Sequence, residues 1–132
     1  MSINRKWSRL NRISDCPDAN GIYGFGHTRP GGVVETVYLG RAQGSGGLRA
    51  RVFAHANGTQ NGNPGLSELI ARCPNFVRVR WLQAGWFDSP TNMEVDALRR
   101  FVDAHGRLPR FNSRQELVRE GLVGLLDEIF GA

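Results

Sequence analysis

Alternating apolar and polar positions predict three strands in this chain. Residues 22–25 begin the first strand, and residues 33–39, which are rich in valine, form the second. The segment between them contains proline and glycine, which favour a tight turn, so these two strands are expected to form a hairpin. Gly24 and Gly26 in the first strand indicate a bulge or a close approach to the backbone. Residues 76–82 alternate in the same way and form the third strand.

Apolar residues spaced three and four positions apart predict helices at 48–56, 66–72 and 91–104. Ser89 and Pro90 fit the N-cap and the first position of the third helix, because a serine hydroxyl accepts a free N–H group and proline already has a helical φ. Together, these elements predict an α+β fold with a small three-stranded, mostly antiparallel sheet flanked by helices.

The two ends of the chain leave alternatives open. Residues 3–13 carry apolar side chains at helical spacing with basic residues between them. This pattern predicts a short helix packed on the core; the alternative is a basic arm that touches a nucleic-acid backbone. Ser113 and Glu116 form a capping box for a last helical segment, 113–131. Its wide apolar stripe either covers the core or joins two copies of the chain in a homodimer.

The length of 132 residues suits a single domain, 1–132, with one hydrophobic core. No run approaches the ~20 apolar residues of a membrane span, and the N-terminus lacks the apolar core of a signal peptide. We therefore expect an intracellular, cytoplasmic protein with no membrane partner. Cys16 and Cys73 have no metal-ligand spacing and are expected to act as small buried hydrophobic residues.

The chain is basic, with a formal charge of +5 and a sequence pI of about 10.2. This charge suggests an anionic partner, and nucleic acid is the first candidate. Lys6 is the only lysine among 17 cationic residues, and arginine binds phosphate bidentately. Codon use in a GC-rich genome would produce the same arginine excess. The predicted nucleic-acid contacts are Arg41, Arg49, Arg78 and Arg80, although a solvated sheet face is an equal alternative for Arg78 and Arg80.

An arginine and a histidine lie on the apolar face of the helix predicted at 48–56. Arg51 and His55 share that face with core residues, and both need partners because an unpaired buried charge is costly. The simpler alternative is a core histidine with its hydrogen bonds satisfied and an arginine that reaches solvent. Tyr23 and Tyr38 lie in the hairpin just before this helix, and the combination favours a functional site.

Glu94 lies within the apolar stripe of the helix predicted at 91–104. A carboxylate in a buried stripe requires a cation or a strong hydrogen-bond donor. The alternative is that the free N–H groups of the first helical turn stabilise Glu94 as an anion. The glycine-rich segment 40–47 could cradle a phosphate, but it lacks the Lys-Ser/Thr pair of a nucleoside-triphosphate loop. A mononucleotide-binding domain is therefore a secondary hypothesis.

Six positions in order resemble the signature of the GIY-YIG nucleases. Gly21-Ile22-Tyr23 looks like the first motif, and Tyr38-Leu39-Gly40 looks like the second, with leucine in place of isoleucine. The remaining matches are Arg51, His55, Glu94 and Asn112, where Asn112 ends a Leu-Pro-Arg-Phe-Asn run. The resemblance spans residues 17–112. The intervals from Tyr23 to Tyr38 and from Glu94 to Asn112 are longer than is common in the family.

The resemblance implies a divalent-metal-dependent endonuclease that hydrolyses phosphodiester bonds in DNA, with RNA as the alternative substrate. By similarity to the family, Glu94 would hold Mg²⁺ or Mn²⁺, and Arg51 would clamp the scissile phosphate. Tyr23 would orient or deprotonate the attacking water, or pass its own proton to His55. The resemblance assigns Tyr38 to hydrogen bonding with the phosphate or the water.

Asn112 would hold Tyr23 or the loop of the site in place. Its alternative is a helix-cap role beside Ser113. The competing function is a catalytically inactive nucleic-acid-binding module of the same fold. Because many members of the family carry a separate DNA-targeting domain, the resemblance implies the chemistry and leaves the target open.

Overall fold

The structure, a computed structural model, describes residues 3–58 and 63–113, with side chains from Lys6 onward. The strands are β1 (Ile3–Arg9), β2 (Gly21–Thr28), β3 (Val34–Ala42) and β4 (Val77–Gln83). The helices are α1 (Gly47–Ala56), α2 (Pro64–Arg72) and α3 (Pro90–His105), and 3-10 turns occupy Leu10–Asp15 and Pro74–Phe76. The predicted helix at 113–131, and with it the predicted homodimer contact, lies outside the described residues.

The α+β class is confirmed, but the prediction of three strands is wrong. The sheet has four strands in the order β1-β4-β2-β3, and every neighbouring pair is antiparallel. The additional strand is Ile3–Arg9, where a helix over 3–13 was expected. Pairing with β4 satisfies part of the backbone of this segment, and a 3-10 turn follows at once. The helical spacing therefore arises from a strand followed by a tight turn.

One face of the sheet forms the core beneath α1. Tyr23 on β2 is paired with Trp81 on β4 and with Gly40 on β3. Directly paired residues of antiparallel strands share a face, so these three positions lie on the same side of the sheet. Leu48 and Val52 of α1 are completely buried in the core cluster that includes Tyr23 and Trp81.

The opposite face carries two glycines in β2 that allow an aromatic ring to approach the backbone. A Cβ atom on Gly26 would lie 3.0 Å from the ring of Trp7, and one on Gly24 would lie 3.8 Å from it. The register of β2 and β3 also shifts between Phe25 and Gly26, which is a bulge. Both interpretations of the glycine pattern are therefore confirmed.

The helices begin and end close to their predicted positions. The Ser89 side chain accepts a hydrogen bond from the Asn92 N–H at 3.3 Å, so Ser89 is the N-cap of α3 as expected. Gly106 ends α3 with a left-handed φ of 73°, which suits glycine. α3 packs on β3 and β2. No helix in the described ranges is both long enough and apolar enough to cross a membrane.

Candidate active site

Three of the predicted site residues form one buried aromatic cluster. The hydroxyl of Tyr23, on β2, lies 2.9 Å from Nε2 of His55, on α1. The ring centroid of Tyr38, on β3, is 5.2 Å from that of His55 and 6.2 Å from that of Tyr23. Phe25 completes the cluster, 5.5 Å from His55. Residues from two strands and a helix thus meet in the core, as a shared site requires.

Gly40 explains how Tyr23 reaches His55. It is paired with Tyr23 across the β2–β3 ladder. A Cβ atom at position 40 would lie 2.7 Å from Cζ and from the hydroxyl of Tyr23, and 3.0 Å from the ring of Tyr38. Only glycine leaves room for the Tyr23 ring to cross β3 here. The last residue of the Tyr38-Leu39-Gly40 motif therefore has a steric role in the cluster.

His55 is neutral at physiological pH. Burial, and to a smaller extent the positive charge of Arg51, lowers the pKa of His55 to about 4. In a neutral imidazole one nitrogen donates and the other accepts. Nε2 is engaged with Tyr23, whereas Nδ1 has no hydrogen-bond partner within the described part of the chain. The pair can share a proton, and nearby negative charge would make His55 a stronger base.

Arg51 lies one helical turn before His55 and is partly buried. Its positive charge acts on His55, yet within residues 3–58 and 63–113 its guanidinium has no ion-pair or hydrogen-bond partner. Partly buried arginines are commonly paired, because removal of a charge from water is costly. An unpartnered guanidinium beside a tyrosine–histidine pair is therefore suited to bind an anion such as a phosphate.

Glu94 is paired with a residue that was expected to contact nucleic acid. Its side chain is 2% exposed, and Oε1 accepts a hydrogen bond from Nη1 of Arg41 at 2.9 Å. Arg41 directly follows Gly40 on β3. The expectation that Glu94 requires a cation or a strong hydrogen-bond donor is confirmed, and Arg41 is such a partner. The predicted contact of Arg41 with nucleic acid stays a prediction, as does the predicted metal role of Glu94.

The donor chemistry of Glu94 fits a hard cation under one condition. The described residues contain no group of three or more His, Cys, Asp and Glu side chains that could hold a metal ion. Mg²⁺ commonly binds through one or two carboxylates and takes its other ligands from water and substrate phosphates, so a single carboxylate is compatible with it. Because Arg41 already neutralises Oε1, this ion pair must loosen before a cation can bind.

Asn112 clamps the strand that carries the second motif. Its Oδ1 accepts from the Leu39 N–H at 2.9 Å, and its Nδ2 donates to the Leu39 carbonyl at 2.8 Å. The preceding residue also bonds to the backbone of β3, because the Phe111 N–H donates to the Val37 carbonyl at 2.8 Å. Asn112 therefore fixes the backbone of Leu39, between Tyr38 and Gly40 on β3. Its expected role in holding Tyr23 or the loop of the site stays a prediction.

The other three predicted nucleic-acid contacts have structural partners. Arg49 donates to the carbonyl of Cys16, and Arg78 donates to the carbonyls of Asn75 and Val77. The guanidinium of Arg80 stacks over the ring of Trp7 at 4.2 Å, and burial lowers the pKa of Arg80.

The sheet register separates two of these arginines from the aromatic cluster. Arg78 and Arg80 are paired with Gly26 and Gly24, so they lie on the sheet face opposite Tyr23. Their side chains therefore leave the sheet on the side away from the Tyr23–His55 pair, as does the side chain of Arg41. Their contact with nucleic acid elsewhere on that face stays a prediction.

Two features near the site were not predicted from the sequence. The Arg41–Glu94 pair joins residues 53 positions apart, which no local spacing indicates. Trp86 and Phe87, in the turn between β4 and α3, are fully exposed at 97% and 103%. Two adjacent large aromatic residues between Gly85 and Asp88, just before the predicted N-cap Ser89, were the available signal.

Comparisons with protein-family models, with curated proteins and with solved structures find no match for this chain. The resemblance to the GIY-YIG nucleases therefore rests on the residues of the chain itself.

Proposed function

We propose that this protein is a divalent-metal-dependent endonuclease that hydrolyses phosphodiester bonds in DNA with a GIY-YIG-like site. The observation that carries the proposal is the Tyr23–His55 hydrogen bond of 2.9 Å beside Arg51. The guanidinium of Arg51 has no ion-pair or hydrogen-bond partner in the described ranges. Phosphodiester hydrolysis needs a positioned water, a route for its proton and positive charge on the phosphate. These residues would supply all three, and the net charge of +5 favours a polyanionic substrate.

Arg51 would bind the non-bridging oxygens of the scissile phosphate through its guanidinium fork. A bound phosphate would offset the positive charge that helps to lower the pKa of His55. His55 thus becomes a better base when the substrate is bound. His55 would therefore act as a base only in the complex of the protein with its substrate.

The attacking water would give its proton to the Tyr23 oxygen while Tyr23 passes its own proton to Nε2 of His55. The water oxygen forms the new bond to phosphorus, and the leaving oxygen departs and takes a proton from solvent. Tyr38 lies against the same histidine and would hydrogen-bond the phosphate or the water. Asn112 keeps the strand of Tyr38 in register.

Glu94 would hold Mg²⁺ or Mn²⁺, which supplies positive charge to the phosphate and to the leaving oxygen when bound. Arg41 pairs with the Glu94 carboxylate and fixes its position in the resting protein. The ion pair would open as the site fills, and the released guanidinium could then face the substrate phosphate.

The second candidate is a nucleic-acid-binding module without turnover, and the Arg41–Glu94 ion pair favours it. A buried carboxylate neutralised by arginine has a sufficient structural explanation without metal. In this case Arg51 would still hold a phosphate, while Glu94 would serve only to fix α3 on the sheet.

Nicking of supercoiled plasmid with Mg²⁺ or Mn²⁺, against an EDTA control, tests the proposal. Glu94→Gln keeps an oxygen for Arg41 and removes the charge that would bind metal, so it should abolish nicking while the protein stays folded. Arg51→Ala should lower the rate by about 10²- to 10³-fold, as for other groups that stabilise transition-state charge. Arg72→Ala, at an exposed arginine of α2, is the matched control and should nick normally.

Two outcomes would reject the enzyme. Plasmid and single-stranded DNA that are retained in a gel shift but never cut by the unaltered protein with either metal would favour the binding module. Nicking that persists in Glu94→Gln would remove Glu94 from the site and would point to a contaminating nuclease.

A further inference from the structure

The turn between β4 and α3 displays two aromatic rings to solvent. Trp86 and Phe87 are 97% and 103% exposed, more than any other large hydrophobic residue in the described ranges. Single exposed apolar residues are common on protein surfaces, but two adjacent large aromatic rings at full exposure form a feature that needs an explanation.

The turn has a fixed shape that keeps these rings away from the core. The Gly85 N–H donates to Oδ2 of Asp88 at 2.7 Å, and the Asp88 N–H donates to the Gly85 carbonyl at 3.2 Å. The Ala84 N–H donates to the Asn20 carbonyl at 2.8 Å, and the Ser89 side chain caps α3 directly after the turn. The rings are therefore presented on a defined backbone.

The turn lies at the end of the sheet that carries the candidate site. β4 ends at Gln83, which is paired with Gly21, two residues from Tyr23. Two residues of a strand span ~7 Å, so the turn begins close to Tyr23 along the strand direction. After the turn, α3 starts at Pro90 and reaches Glu94 about one helical turn later. The aromatic pair thus adjoins both parts of the proposed site.

Unpaired bases are the partner that fits rings at this place. Each base that stacks on an aromatic side chain contributes roughly 1–3 kcal/mol to the free energy of binding. Any base sequence can bind in this way, because every base has a flat face. In an intact duplex those faces are already stacked on each other. A basic chain with a net charge of +5 attracts the phosphates that accompany such bases.

We propose that Trp86 and Phe87 stack on unpaired bases next to the phosphate held by Arg51. The preferred substrate class is therefore DNA with a single-stranded segment, such as a single strand, a flap or a frayed end. This inference rests on the proposed function for the position of the phosphate. The stacking itself is measured without cleavage, so the two proposals can fail separately.

Tryptophan fluorescence with EDTA present tests the stacking. Trp81 is buried and Trp7 is partly covered by Arg80, so Trp86 should dominate quenching by acrylamide in the free protein. A 12-nucleotide oligothymidine should quench this emission and protect it from acrylamide, whereas a duplex of equal length should do so much less. Trp86→Ala should remove the quenching and weaken single-strand affinity by about 5- to 100-fold.

Phe87→Ala should weaken single-strand binding with the Trp86 signal retained, and Arg51→Ala should weaken it while quenching at saturation persists. Phe76→Ala, at an exposed aromatic residue elsewhere, is the matched control and should bind normally. Variants at positions 86 and 87 should keep the thermal midpoint of the unaltered protein because their side chains are exposed.

Three results would overturn the inference. If acrylamide does not quench Trp86 in the free protein, another part of the chain covers this side chain. If Trp86 is protected from acrylamide only before the protein is diluted, a second copy of the chain covers it. If Trp86→Ala binds single strands with the same affinity as the unaltered protein, the binding comes from phosphate contacts alone and not from stacking on Trp86. Stacking without cleavage of the plasmid or of the single strand, with Mg²⁺ or Mn²⁺ present, would instead reject the proposed enzyme and keep this inference.

Discussion

Two buried polar pairs lie beside strand β3, and they are stabilised in different ways. Tyr23 and His55 form a neutral hydrogen bond inside an aromatic cluster, and they meet on the core face of the sheet. Arg41 and Glu94 form a charged pair, and Arg41 leaves β3 from the other face because it is paired with Ile22. The neutral pair depends on packing, whereas the charged pair depends on charge balance. Mutations and pH should therefore affect them differently.

The largest effect is expected when the charged pair is broken from the arginine side. Arg41→Met leaves Glu94, 2% exposed, as a buried carboxylate without this cation, which should lower the free energy of unfolding by about 3–5 kcal/mol. Glu94→Gln should cost less, about 1–3 kcal/mol, because Arg41 is 19% exposed and keeps an oxygen acceptor. Urea unfolding of both variants measures the difference, and equal losses would contradict the asymmetry.

Acid should weaken the neutral pair. The pKa of His55 is 6.5 in the unfolded chain and about 4 in the folded one. Below pH 6.5 the unfolded chain binds a proton that the folded protein does not bind, so the free energy of unfolding falls as the pH drops from about 6.5 to about 4. The loss should reach up to about 3 kcal/mol.

Urea unfolding at pH 7.5 and at pH 4.5 measures this pH dependence. His55→Gln should lack this part of the acid sensitivity, and the difference from the unaltered protein isolates His55 from other titrating groups. His105→Gln, at an exposed histidine that ends α3, is the control and should keep the full dependence. A His55→Gln variant with an unchanged pH dependence would reject a neutral, buried His55.

The Asn112 clamp links the two pairs, because it holds the segment of β3 between Tyr38 and Arg41. Asn112→Ala removes two hydrogen bonds to Leu39 and should cost about 1–2 kcal/mol. Asn112→Asp should cost more, since a carboxylate oxygen would then face the Leu39 carbonyl. Thermal unfolding ranks the variants, and a milder effect of aspartate than of alanine would contradict the assigned donor and acceptor.

The smallest effect concerns metal affinity. The guanidinium of Arg41 competes with a cation for Glu94, so its removal in Arg41→Met should tighten Mn²⁺ binding by about tenfold, or ~1.4 kcal/mol. Titration of free Mn²⁺, followed by its electron paramagnetic resonance signal, measures this without substrate. Arg72→Ala serves as the control. Weaker Mn²⁺ binding in Arg41→Met would mean that Arg41 supports the metal site rather than competing for it.

Local signals in the sequence predicted much of the fold. The N-cap Ser89 located the start of α3, and alternation located the strands of the hairpin and β4. Strand β1 was not predictable in this way, because its structure depends on pairing with β4, which lies more than sixty residues later. Cys16 is fully buried as expected, whereas Cys73 is only partly buried.

The candidate site depended less on periodicity and more on the resemblance. Helical spacing placed Arg51 and His55 on one face, but only the resemblance connected them with Tyr23 and Tyr38. Contact between Tyr23 and His55, 32 positions apart, now supports that connection. The partner of Glu94 had no local signal, since a required cation can come from any part of the chain.

The contacts of Phe111 and Asn112 with β3 also bear on self-association. β3 is an edge strand, and exposed edges offer unpaired N–H and C=O groups to other chains. Hydrogen bonds to the Val37 carbonyl and to both backbone groups of Leu39 occupy that edge as a short additional strand would. Addition of a strand from another molecule is therefore blocked at this part of β3. Loss of this cover in Asn112 variants would expose a template for aggregation.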